Sequence, residues 1–80
     1  MPMYFFHLAT PQQLIADEEG TQLADLEAAR KEAIASARDI IADTIEGGGD
    51  VSGYAFNVTD DAGEQVMVLD FKPLLNGGAR

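Results

Sequence analysis

The 80-residue chain predicts an α+β domain in the order ββαββ, a mostly antiparallel four-stranded sheet with one long helix packed on one face. Three observations carry that expectation. Residues 25–46 repeat apolar side chains at helical spacing, and a pair of strand-like runs lies on each side of them. Gly47-Gly48-Gly49 then closes the helical stretch, where glycine is favoured after a last turn.

The elements follow in chain order. Met3 to Leu8 is rich in aromatic residues, with Tyr4, Phe6 and Leu8 on one side and Met3, Phe5 and His7 on the other. Both sides are largely apolar, so this strand is expected in the middle of the sheet. Pro11 has no amide to offer a ladder and breaks it, and residues 13–17 are expected to return antiparallel. Asp17-Glu18-Glu19-Gly20 reads as a solvated turn, followed by Thr21-Gln22-Leu23 as a short extended link. Asp25 is placed to cap the helix, and Glu27 adds favourable charge in its first turn. Leu26, Ala29, Ala33, Ala37, Ile40, Ile41 and Thr44 share a stripe, with Ile34 and Ile45 on its flank. Alanine in the first half predicts close approach to the sheet; the isoleucines predict a thicker core at the other end. Gly53 to Thr59 and Gln65 to Phe71 read as a hairpin about Asp60-Asp61-Ala62-Gly63. Pro73 stops the last strand, giving a single domain over 1–80 with an ordered core of 2–73 and a flexible tail of 74–80.

Composition excludes several function classes. A chain this short hides only about 60% of its unfolded surface, so one small core must suffice. With 46% apolar residues it is too hydrophobic for a disordered chain. The net charge is -9, from 14 acids against five Lys and Arg. Nucleic acid and anionic membrane surfaces both demand cations, so neither is expected as a partner. The absence of cysteine rules out disulfides, thiolate metal sites and a thiol nucleophile. No cofactor and no metal are expected. With no apolar run of membrane-spanning length and no signal-like N-terminus, a cytoplasmic location is expected, of bacterial type.

One helix covers one face of a sheet. By strand alternation the other face carries Phe5, His7, Asn57, Val66 and Val68, an apolar patch with two polar members. A twofold homodimer, face to face or edge to edge, is the expected way to cover it.

The chemistry-bearing residues are few. His7 is the one histidine, suited to acid–base work but expected as an ordinary hydrogen-bonded residue of a sheet face. Arg30 falls close to the centre of the helix's apolar stripe, where an unpaired charge is costly, so a clamp to Asp17 or Glu18 is expected. Asp17, Glu18 and Glu19 are contiguous, unlike calcium loops, which space their ligands at alternate positions. Ser36 and Ser52 lack a nucleophile elbow, and Gly47-Gly48-Gly49 follows a helix where a phosphate loop must open one. Pro2, freed by loss of Met1, would be a secondary-amine base at the start of a strand.

Four segments carry a likeness. They are Tyr4-Phe5-Phe6-His7-Leu8, Asp17-Glu18-Glu19-Gly20, Leu23-Ala24-Asp25-Leu26-Glu27-Ala28-Ala29-Arg30 and Val58-Thr59-Asp60-Asp61-Ala62-Gly63. Together they resemble a family of short bacterial proteins grouped as a domain of unknown function, over nearly the whole chain up to Phe71. The chain departs from that pattern at Pro11-Gln12-Gln13 and at Lys72-Pro73-Leu74-Leu75. The resemblance implies a stand-alone intracellular domain and assigns no activity. The hairpin, acidic turn and helix are also similar in architecture to HicB-type antitoxin domains. The expectation is therefore a non-catalytic domain acting through protein contacts, with itself as first partner and another protein as a second. The alternatives are a small enzyme or ligand-binding protein using His7, Arg30 and Pro2, or an acidic antitoxin-like module masking a basic partner.

Overall fold

The computed structural model describes residues 1–75. Its elements are β1 (Met3–Ala9), β2 (Leu14–Ile15), β3 (Thr21–Gln22), α1 (Leu26–Glu46), β4 (Ala55–Asp60), β5 (Gln65–Asp70) and a short α2 (Lys72–Leu75). The expected α+β class and its order hold, and all strand pairs are antiparallel. The sheet runs β2-β1-β4-β5. One refinement is β3, expected as an extended link, which pairs with Met3 and Tyr4. Because β4 occupies one edge of β1, β2 and β3 share the other, end to end. The tail expected at 74–80 begins instead with helical Leu74 and Leu75, and the remainder lies outside the described residues.

The helix starts where its sequence says it should. The Asp25 carboxylate accepts the N–H of Ala28 at 2.8 Å, satisfying an amide that has no partner inside the helix. At the other end Gly48 donates to the Ile45 carbonyl and Gly49 to that of Thr44, the Schellman pattern. Ala29, Ala33 and Ala37 are completely buried against the sheet. Their small side chains let the helix settle onto Tyr4, Phe56, Val58 and Phe71, the remaining large members of the core, with Val51.

The expected thick end of the core is only partly formed. Ile40 and Ile41 pack against the core, whereas Ile45 is 54% exposed and Leu26 46%. Length explains this: 21 residues of helix span about 31 Å, while six- or seven-residue strands span about 20–23 Å.

The β4–β5 hairpin closes as its turn sequence predicts. Gly63 takes φ 83°, and the Asp60 carboxylate accepts the amides of Ala62 and Glu64. A bulge between Val58 and Thr59 shifts the register of β5 just beyond this turn.

Candidate functional site

The site is the face of the sheet turned away from α1. Register places two rows of side chains across it, Phe5–Thr59–Gln65 and His7–Asn57–Val68, each taking one residue from β1, β4 and β5. Four of the five residues expected there, Phe5, His7, Asn57 and Val68, do share this face. Val66 does not. The bulge displaces it from strict alternation, and it packs against the core cluster instead. Alternation in the sequence cannot reveal an inserted residue, so the misplacement follows directly.

The His7 ring is held by neighbours on both sides. Its plane lies 8° from that of Phe5, with centroids 6.4 Å apart. The backbone N–H of Asp17 donates to His7 Nδ1 at 3.0 Å, so that nitrogen presents a lone pair. In the neutral ring the proton then sits on Nε2, which lies 3.0 Å from Thr59 Oγ1 and donates to it. This order is the reverse of an acid–base triad. There Nδ1–H donates to a carboxylate, leaving Nε2 free to take a hydroxyl proton. Here Nε2 has no lone pair for Thr59, so the hydroxyl has no base.

The Asp17 carboxylate is engaged elsewhere. It accepts the amides of Phe6 at 3.0 Å and of Glu19 and Gly20 at 3.2 Å each. Burial pushes this carboxyl up, but the three amides, Phe6 foremost, together with nearby His7 outweigh it and hold it below the ordinary carboxylate range. The expected clamp to Arg30 is therefore corrected: Arg30 and Glu18 are both exposed, and backbone amides take the place assigned to the guanidinium. Arg30 lies about 60° round the helix from the centre of the Ala29–Ala33–Ala37 line, far enough for its long stem to reach water. Nothing in the sequence distinguished a carboxylate that binds backbone from one that binds a cation.

The turn after Asp17 folds back over β1. A Cβ on Gly20 would lie 2.8 Å from Phe5 Cε2 and 3.1 Å from Met3 Cγ, so only glycine permits this approach. Phe5 is thus half-covered by its own chain. At the far side of the face Val68 is 53% exposed, and Leu14, opposite Ala9, is 60% exposed. Between them, the side-chain oxygen of Asn57 is buried without a hydrogen-bond partner. Such a group costs about 1–3 kcal/mol.

A cleft of about 330 Å³ is lined by Val51, Ser52, Gly53, Lys72 and Leu75. None of His7, Arg30 or Pro2 lines it. Pro2 is exposed, and its carbonyl accepts the Leu23 amide. Among the described residues no group of three or more His, Asp or Glu is arranged to hold a metal ion. No helix among them is long and apolar enough to cross a membrane.

Comparison with known protein families matches residues 3–72 to the domain of unknown function DUF6894, a span that includes every strand of the sheet and the long helix. The chain belongs to the DUF6894 family. No curated protein and no solved structure matches it. In this DUF6894 domain the matched span also contains His7, Asp17, Asn57, Thr59 and Val68, the residues that form the site.

Proposed function

We propose that this DUF6894 domain is a non-catalytic, intracellular protein-interaction module that pairs with a second copy of itself through the open sheet face. The observation that carries this reading is the distribution of charge. The chain has 14 acids, yet Asp70 is the one carboxylate at a strand position of that face. Two copies each of charge -9 repel wherever their acids meet, and this sparsely charged surface lets them approach with least repulsion. A basic partner would instead be drawn to the acidic turns and the outer side of the helix.

Size sets the strength of the association. The three long strands β1, β4 and β5, about 4.8 Å apart and about 20 Å long, present a face on the order of 300 Å². A standard interface takes about 800 Å² from each partner, so the pairing is weak and concentration-dependent. The reversed His7 tautomer supports a non-catalytic role, because it leaves Thr59 without a base. Sedimentation equilibrium over a wide concentration range tests the proposal. The wild type is expected to self-associate reversibly and Val68→Glu to remain monomeric. A wild type that stays monomeric throughout, or a Val68→Glu variant that associates as before, would overturn it.

A further inference from the structure

Along the outer edge of β1 the even-numbered residues present their backbone groups. The Pro2 carbonyl accepts from Leu23, and the Thr10 amide donates to Gln13. Tyr4 is paired with Thr21 of β3, and Leu8 with Ile15 of β2. Phe6 falls in the gap between these two short strands, and the Asp17 carboxylate takes its amide. A side chain thus completes a ladder that the backbone leaves open.

Besides this bond, the Asp17 amide on His7 Nδ1 and the close approach of Pro11 to Gly53, little fastens the segment that supplies this edge. Residues 11–16, 18–19 and 21–22 are all exposed, and only Asp17 and Gly20 are half-buried. Each of its strands is two residues long. The ends are held more firmly, since Leu23 packs against the core and Thr10 bonds to Gln13 through backbone and hydroxyl. We infer that residues 11–22 form a strap, fastened to β1 chiefly by Asp17, that opens as a unit while the rest of the fold stays closed.

Such openings occur where few apolar contacts oppose them. When the strap lifts, β1 ceases to be an interior strand. Its Tyr4, Phe6 and Leu8 backbone groups become a free edge, and the Phe5 ring loses the cover of Gly20. An edge of this kind accepts an added extended strand, with backbone bonds for affinity and alternate side chains for selection. The strap goes beyond self-association and does not depend on it, since a strictly monomeric chain can still open in this way.

Native-state hydrogen exchange on the full chain, at increasing low denaturant, tests the strap directly. The amides of Phe6, Leu8, Ile15, Asp17 and Thr21 are expected to exchange together, through an opening that leaves Ala33 and Ala37 protected. In Asp17→Asn this set alone is expected to exchange about tenfold faster or more, because an amide nitrogen replaces one accepting oxygen. Exchange of the set only by global unfolding, in step with Ala33 and Ala37, would overturn the inference. So would an unchanged Phe6 rate in the variant. Should Asp17→Asn not fold, the wild-type exchange pattern by itself separates a local opening from a global one.

Discussion

The backbone amide of Asp17 points at His7 Nδ1 from 3.0 Å, and that single bond determines which ring nitrogen carries the proton. An imidazole so placed donates through Nε2 to Thr59. Nitrogen-15 NMR of the ring should therefore show an unprotonated Nδ1 and a protonated Nε2 in the neutral form. Thr59→Val should cost about 1 kcal/mol for the lost hydrogen bond without changing that pattern. A protonated Nδ1 would restore the triad order and reopen the catalytic reading.

Acid should weaken the fold through Asp17. Its folded-state carboxyl lies below its unfolded value, so the ionised form is the one the fold prefers. The contribution is complete above the unfolded value of about 4 and is lost as pH falls through the folded one. Asp17→Asn should cost about 1–2 kcal/mol at neutral pH. The difference from wild type should shrink in denaturant titrations below about pH 4. A gap that stays constant with pH would mean the charge is immaterial.

The alanine line on α1 has no room to spare. Ala33 is fully buried between helix and sheet, so Ala33→Leu forces the helix away or its neighbours out of their rotamers. A loss of about 1–3 kcal/mol in urea unfolding is expected. Equal stability would show that the helix does not press against the sheet at this point.

Arg30 presents the opposite case. Its exposure predicts that Arg30→Met changes stability by no more than about 0.5 kcal/mol, within the range of ordinary surface substitutions. A large loss would revive the ion pair expected from its position in the sequence.

Asn57 should be a site where the native residue is not the most stable one. Replacing it with valine removes an amide oxygen buried without a partner and places a β-branched side chain in a strand. Asn57→Val is expected to raise stability by about 1 kcal/mol in thermal or urea unfolding. A destabilised variant would show that the amide already has a partner worth keeping.

The repetitive elements were legible in the chain because their periods are local. Spacing of three and four along residues 26–46, Asp25 before them and the glycine run behind them describe α1 with no knowledge of its surroundings. Strand alternation likewise placed Phe5, His7, Asn57 and Val68 on one face. Val66 escaped because a bulge inserts one residue and leaves no mark in an alternating pattern. The buried Val51, flanked by Asp50 and Ser52 in a turn, carried no periodic signal either.

Sequence alone thus determined the α+β class, the helix with its caps, the β4–β5 hairpin and the acidic net charge. These depend on residues near one another in the chain, where backbone preference and side-chain period suffice. Tertiary structure decided the partners of Asp17 and His7, the pairing of β3, and the exposure of Arg30. A carboxylate can satisfy a guanidinium or a backbone amide with the same chemistry. Which of them it meets depends on distances across the folded chain, and no local pattern records those.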